Sequence, residues 1–124
     1  MEPLLIAQTN ETPGVTLSAA DGKFTFVGKS YPENVNEFYT DVLNYLKMYV
    51  TNPKEKTSLE FNWLYYNTAT SKMVVKIIME LKEVKTQGKI LEIKWFCKAN
   101  DELMLEKGEE LKSLLDVDFS IIHV

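Results

Sequence analysis

The stretch Leu64-Tyr65-Tyr66-Asn67-Thr68-Ala69-Thr70-Ser71-Lys72 joins two periodic patterns, and this junction decides the fold. Before it, residues 57–65 carry the apolar, strand-like pattern of a β-strand. After it, apolar residues recur at helical spacing over residues 69–87, and Gly88 stands where a glycine commonly ends a helix. The three hydroxyl residues of the stretch therefore lie at a strand-to-helix junction, where free N–H groups and the helix dipole favour an anion.

Three roles are open to Thr68, Thr70 and Ser71: a helix cap, an anion ligand or a phosphorylation site. Two lysines, Lys72 and Lys76, lie in the first two turns of the predicted helix, and no acidic residue accompanies them. A cation near a helix N-terminus is mildly unfavourable. A phosphate on a neighbouring hydroxyl would reverse the sign of that interaction, with Lys72 within reach.

The rest of the chain continues the alternation of strands and helices. Alternating runs predict strands at residues 14–19, 23–28 and 89–96, a short apolar run predicts one at 4–8, and residues 117–124 form the last predicted strand, in addition to 57–65. Asp21-Gly22 predicts a hairpin between the second and third of these strands. Helical spacing predicts helices from Asn34 to the stop at Thr51-Asn52-Pro53, over 69–87, and over 101–115, the last less regular because it contains Gly108.

The order βββαβαβαβ predicts an α/β fold in one domain covering residues 1–124. We expect a single mixed sheet, largely parallel, with an N-terminal antiparallel hairpin and helices packed against it. Within the fourth strand, simple alternation places Trp63 and Tyr65 on one face and Leu64 and Tyr66 on the other.

The loop before the first helix is a second candidate site. Two overlapping capping boxes are available there, Ser30 with Glu33 and Asn34 with Glu37. This loop also follows a strand and precedes a helix, so we expect it at the same edge of the sheet as Thr68, where loops often form a joint site.

Composition excludes several classes of function. The 124 residues carry a net charge of −4 with a pI near 5.0, which argues against nucleic-acid binding. No apolar run approaches the roughly 20 residues of a membrane-spanning helix, and residues 1–6 do not resemble a signal peptide, so we expect no membrane insertion. The single cysteine suits a reducing compartment, and we expect a cytoplasmic protein.

The sequence offers little support for catalysis. His123 is the only histidine, and neither a Ser/His/Asp set nor a glycine-rich phosphate loop is present. Cys97 ends a predicted strand with no histidine near it in sequence, which favours a structural role. One cysteine and one histidine do not supply the four ligands of a structural zinc site. We therefore expect no enzyme activity, no cofactor and no metal.

Several of these stretches together resemble the SiaC family of bacterial regulatory phosphoproteins. They are Ser30–Asn34, Asn67–Lys72, and Trp95 followed by Asp101–Glu109, and they occur in the family's order over essentially the whole chain. The resemblance implies an α/β fold similar to the STAS domains of anti-sigma-factor antagonists, and a non-enzymatic regulatory role.

The resemblance also implies a phosphorylation cycle at Thr68, the threonine of the family's Asn-Thr motif. In the family, a partner kinase phosphorylates this threonine and a metal-dependent Ser/Thr phosphatase restores it. The unphosphorylated form binds and activates a diguanylate cyclase, which raises cyclic-di-GMP and promotes aggregation or biofilm growth. This chain has Ala69 and Thr70 where the family tends to have two serines, but Thr68 and its flanks Asn67 and Lys72 are retained.

We therefore expect a surface for protein partners around Thr68. The residues expected to contribute are Ser30, Tyr31, Pro32, Glu33, Asn34, Tyr66, Asn67, Thr70, Ser71 and Lys72. The alternative hypothesis is a small-molecule or nucleotide-binding STAS-like module, in which the start of the second helix binds the anion.

Overall fold

The computed structural model describes all 124 residues, in six strands and three helices. In chain order they are β1 (Leu4–Ile6), β2 (Gly14–Ser18), β3 (Lys23–Ser30), α1 (Val35–Tyr49), β4 (Lys56–Tyr66), α2 (Thr68–Thr86), β5 (Ile90–Cys97), α3 (Glu102–Leu114) and β6 (Asp118–His123). The predicted order βββαβαβαβ is confirmed, and α2 begins one residue earlier than expected.

The six strands form one sheet in the order β1-β2-β3-β4-β5-β6. Strands β1, β2 and β3 pair antiparallel, and β3 to β6 pair parallel, as the sequence predicts. Because each crossover leads to the adjacent strand, crossovers of one hand place all three helices on the same face. Burial agrees: Leu91, Ile93 and Trp95 of β5 are buried, whereas Glu92 and Lys94 on the other face are partly exposed.

The hydrophobic core lies between this one covered face of the sheet and the helices. Its largest fully buried side chains come from both layers: Phe24, Phe26, Leu59, Phe61, Ile93 and Trp95 from strands, and Tyr39, Leu46, Ile77, Ile78 and Leu81 from helices. Burial of this apolar surface is the main force that holds the layers together. None of the helices is both long and apolar enough to cross a membrane.

Two turns use the glycines that the sequence pattern marks. Gly22, with φ +62°, closes the hairpin between β2 and β3. Gly88, with φ +75°, follows the end of α2. Its N–H donates to the Lys85 carbonyl at 3.0 Å, and the Lys89 N–H donates to the Val84 carbonyl at 3.1 Å, the bonding pattern of a Schellman motif. The predicted hairpin at Asp21-Gly22 and the predicted end of α2 at Gly88 are therefore both confirmed.

Strand β4 contains one extra residue near its carboxyl end. Gly28 of β3 pairs with Trp63, but the residue after Gly28 pairs with Tyr65, so Leu64 is left over as a β-bulge. The expectation that Trp63 and Tyr65 share a face is therefore wrong. Trp63 and Tyr66 both face the core, whereas Leu64 and Tyr65 are about half exposed.

Helix α3 packs unusually close to the sheet. It continues without a break through Gly108, so the expected irregularity is absent. A Cβ on Gly108 would lie 2.5 Å from Cδ1 of Trp95, closer than non-bonded atoms approach. The indole N–H of Trp95 also donates to the Met104 carbonyl at 3.0 Å. The glycine therefore lets α3 rest directly on the buried indole.

We predict that Gly108→Ala destabilises the protein by about 1–3 kcal/mol, because the added methyl overpacks the contact with Trp95. In an unconstrained helix the same change would stabilise by up to about 1 kcal/mol. Urea unfolding measures the difference, and Glu109→Ala, an exposed position in the same turn, is the control. An unfolding midpoint equal to or above that of the unchanged protein would contradict the close packing.

Candidate functional site

The parallel strands β3, β4 and β5 end at one edge of the sheet, and all three helices begin there. We call this edge the rim. The side-chain oxygens of Asn34, Asn67 and Asp101 cap α1, α2 and α3, each accepting from a backbone N–H three residues later at 3.1, 2.9 and 3.0 Å. The Asn67 N–H donates to the Ser30 carbonyl at 3.1 Å, so the two predicted loops do lie side by side.

Capping is distributed differently from what the sequence suggests. Of the two predicted boxes before α1, only the cap by Asn34 forms, because the side chain of Ser30 is buried at the end of β3. At α2 the cap is Asn67, so none of the three hydroxyl residues Thr68, Thr70 and Ser71 acts as the N-cap.

Beneath the rim, three buried hydroxyls form a continuous hydrogen-bond chain. Thr70 Oγ1 donates to the Ser30 carbonyl at 3.0 Å, which leaves it to accept from Ser30 Oγ at 2.9 Å. Ser30 Oγ in turn accepts from the Tyr39 hydroxyl at 2.7 Å. Ser30, Tyr39 and Thr70 are all 0% exposed. The chain of bonds joins β3, α1 and α2 at their rim ends.

This burial changes the interpretation of two predicted contact residues. Ser30 and Thr70 present no surface to a partner in this conformation. Their hydrogen bonds instead fix the position of the first turn of α2 relative to β3. They support the rim from inside the fold.

Burial raises the pKa of Tyr39 to about 12, although hydrogen bonds to Ser30 and Thr70 act in the opposite direction. The unfolded chain therefore releases this proton near pH 10, whereas the folded chain keeps it until about pH 12. In this window the folded state binds more protons, so stability falls as pH rises.

We predict that Tyr39→Phe lowers stability at pH 7 by about 1 kcal/mol or more, because Ser30 loses its donor. The gap between variant and unchanged protein should narrow from pH 10 to pH 12, because the phenylalanine does not titrate. Urea unfolding at pH 7, 10 and 12 provides the measurement. Tyr66, whose pKa is also raised to about 12, is present in both proteins and cancels. A gap that is constant with pH would contradict this prediction.

Thr68 is the first residue of α2 and is exposed. Its hydroxyl has no hydrogen-bond partner within the chain, whereas the neighbouring Ser71 hydroxyl donates to the Thr68 carbonyl at 2.8 Å. Lys72 is exposed one turn further along the same face of the helix. The first turns of α1 and α3 each contain an acidic residue, but that of α2 contains none.

Exposed apolar side chains lie in the residues just before Thr68 and in the loop after β3. Tyr31 is 36% exposed, Leu64 50% and Tyr65 47%. The rings of Tyr31 and Tyr65 meet edge to face, with centroids 5.9 Å apart. We call these three residues the aromatic patch. Sequence reasoning missed the exposure of Leu64 and Tyr65, because only the bulge turns both of them outward.

The other predicted contact residues differ in accessibility. Glu33 and Asn34 are exposed, and Pro32 and Asn67 are partly exposed. Tyr66 is only 4% exposed, and its ring lies under the ammonium of Lys107, 4.2 Å from the ring centroid. Burial, followed by the charge of Glu110, raises the pKa of Tyr66 to about 12. Its phenol therefore stays neutral.

A surface groove between α2 and α3 opens beside Tyr66. It has a volume of about 250 Å³ and is lined by Tyr66, Ser71, Val75, Lys107, Glu110, Leu111 and Leu114. Lys107 lies on α3, and its contact with Tyr66 was not predicted from the sequence.

Cys97 is buried at the end of β5, as its predicted structural role requires. His123 is distant from Cys97 in sequence but lies beside it in the structure, with Cys97 Sγ 3.7 Å from His123 Nδ1. Burial, together with the charges of Asp101 and Glu109, raises the pKa of the thiol. The cysteine therefore stays protonated, which makes it a weak nucleophile.

Together, the one-sided sheet and the capped helix ends of the rim define a two-layer α/β domain. The model of the SiaC family regulatory phosphoproteins matches residues 6–124, and this chain belongs to that family. An uncharacterized protein of Pseudomonas aeruginosa is 26% identical over 121 residues, which cover 98% of this chain and 96% of the relative.

Solved structures agree with this assignment. Apo-SiaC of P. aeruginosa has a TM-score of 0.90 at 25% identity, covering 98% of this chain and 99% of the relative. SiaC of the same organism in complex with the diguanylate cyclase SiaD, whose activator it is, has a TM-score of 0.91 at 26% identity with the same coverage. The relatives therefore match this chain over its length in both sequence and fold.

Proposed function

We propose that this chain is a non-enzymatic adaptor that is switched by phosphorylation of Thr68. In its unphosphorylated form it binds and activates a diguanylate cyclase, which couples it to cyclic-di-GMP signalling. A partner kinase adds the phosphate and a Ser/Thr phosphatase removes it.

The observation that carries the proposal is the setting of Thr68. Its hydroxyl is exposed, lacks a hydrogen-bond partner and lies at the positive end of a helix that has no acidic residue in its first turn. A kinase reaches such a hydroxyl without unfolding the chain. Thr70, by comparison, is fully buried and hydrogen-bonded to Ser30, so it is a poor substrate.

A phosphate fits the start of α2 electrostatically. It adds about −1.5 to −2 charges at neutral pH where the helix dipole and free N–H groups favour an anion. Lys72, four residues along, lies on the same face of the helix and provides a cation for it. The modification therefore stabilises the helix end, and its effect on a partner comes from the new surface charge.

The proposed partner surface consists of the exposed residues of the rim and the aromatic patch. The aromatic patch supplies rigid apolar contacts, since tyrosine is a favoured anchor at interfaces. Thr68 follows the end of β4, which carries two residues of this patch, and the loop residues Glu33 and Asn34 are exposed at the same rim. A phosphate on Thr68 must be desolvated when the partner docks, which weakens binding unless the partner offers a compensating cation.

The proposal for the output partner rests on the relative. SiaC of P. aeruginosa was solved in complex with the diguanylate cyclase SiaD, of which SiaC is the activator. This chain shares the family and the fold along its whole matched length, and it retains an exposed threonine at the start of α2. We therefore assign it a cyclase partner of the same class.

We predict that Thr68→Ala abolishes the addition of about 80 Da to the protein in its native cells but leaves cyclase binding intact. Thr68→Glu should weaken binding at least about tenfold, or about 1.4 kcal/mol, because it places a fixed negative charge on the proposed partner surface. Intact-mass spectrometry and calorimetric titration with the purified cyclase measure the two effects.

Ser71→Ala is the matched control, since Ser71 is the neighbouring hydroxyl in the same turn. It should retain the mass shift, because Thr68 is still present. Phosphate found on Ser71 rather than Thr68 would contradict the proposed switch. An unchanged affinity of Thr68→Glu for the cyclase would also contradict it.

We further predict that Tyr65→Ala weakens cyclase binding by roughly tenfold or more without lowering thermal stability appreciably, because Tyr65 is a half-exposed member of the aromatic patch. Met48→Ala is the control: Met48 is 64% exposed but lies at the other end of α1, away from the rim. Equal affinity for the two variants would place the partner surface elsewhere.

A further inference from the structure

The two edges of the sheet are built differently. The β1 edge is only three residues long and directly follows Pro3, features that limit strand pairing. The β6 edge is six residues long, without proline or lysine, and pairs only with β5. Its sequence Asp-Phe-Ser-Ile-Ile-His has a single carboxylate and several residues that favour strands. The β6 edge is therefore open to another strand.

The hydrogen bonds show which backbone groups of β6 are free. The Val124 N–H donates to the Cys97 carbonyl at 2.9 Å, so position 124 points towards β5. Since successive residues of a strand point their N–H and C=O groups to opposite sides, Phe119, Ile121 and His123 point theirs away from β5. The edge therefore presents three donors and three acceptors without a partner strand.

We propose that the β6 edge binds β6 of a second copy of this chain, antiparallel, about a twofold axis through Ile121. In this register Ile121 opposes itself and Phe119 opposes His123 of the other copy, so all three outward residues form hydrogen-bonded pairs. Six backbone hydrogen bonds join two six-stranded sheets into one continuous sheet.

The side chains suit this register. The axis brings Ile121 onto Ile121 on the helix side and Ser120 opposite Ile122 on the open side, and no like charges lie directly opposite each other among residues 119–123. Val124, at the rim end of the edge, is 65% exposed and gains cover from the second copy. The interface remains modest in area, which predicts a concentration-dependent dimer.

The dimer is independent of the proposed function at the rim. Thr68 lies at the end of β4, two strands from the β6 edge. A twofold axis perpendicular to the sheet directs the rims of the two copies in opposite directions. Dimerisation therefore leaves both partner surfaces open and is insensitive to the charge at Thr68.

Sedimentation equilibrium of the full chain is the first test. We expect the average mass to rise from 14.3 kDa towards twice that value between about 10 µM and 1 mM. Thr68→Glu should give the same curve. A mass of one chain at every concentration, or loss of the dimer in Thr68→Glu, would overturn the proposal.

Cross-linking then tests the axis. Ile121→Cys places two thiols across the twofold, where Cα atoms of a hydrogen-bonded pair lie about 5.5 Å apart, and mild oxidation should convert most of the dimer into a reducible disulfide. Ile122→Cys is the control, because Ile122 opposes Ser120 and not itself. Cross-linking that is equal in both variants, or stronger in Ile122→Cys, would refute the register.

A charge pair provides a second readout on the same position. Ile121→Lys and Ile121→Glu should each be monomeric when alone, since like charges meet at the axis, and should form a mixed dimer when combined. Thermal unfolding confirms that each variant is folded before mixing. Two folded variants that stay monomeric after mixing would also refute the axis.

Discussion

The buried hydroxyl chain from Tyr39 through Ser30 to Thr70 is the constraint on which the arrangement of the rim depends. Each hydroxyl has one proton to donate, and the carbonyl of Ser30 is the final acceptor, so the direction of every bond in the chain is determined. The bonds tie α1 and α2 to the end of β3 in a place that water does not reach. A buried polar network of this kind is favourable only when every member is satisfied, and it therefore specifies one arrangement of the rim.

Within one turn of α2, that arrangement buries one threonine and exposes another. Thr70 and Thr68 are two residues apart, yet one is fully buried and the other is exposed. Asn67 provides the cap, so neither threonine is needed for that purpose. A chemical change at the exposed Thr68 hydroxyl breaks no hydrogen bond within the chain, whereas the buried Thr70 hydroxyl holds the start of α2 in position. Modification of the surface therefore has little effect on the core beneath it.

The order of elements, the mixed sheet, the hairpin and the glycine end of α2 were all predictable from sequence, because each depends on short-range periodicity or on a single turn residue. The faces of Leu64, Tyr65 and Tyr66 were not, because an extra residue in a strand leaves no local signal and depends on the register with β3. The burial of Ser30 and Thr70 was also hidden, since serine and threonine are as common in exposed caps as in buried networks. The helical continuity at Gly108 required knowledge of Trp95, which lies on another element.

The bulge in β4 has a consequence for how the chain tolerates change. In a regular strand, side chains alternate between the two faces of the sheet. One inserted or deleted residue therefore exchanges the buried and exposed positions along the whole remaining strand. In β4 the extra residue lies after Trp63, so the long paired portion of the strand keeps its phase and only the last three residues are shifted. The exposed residues at the end of β4 can therefore change without altering the aromatic interior formed by Phe26, Phe61 and Trp63.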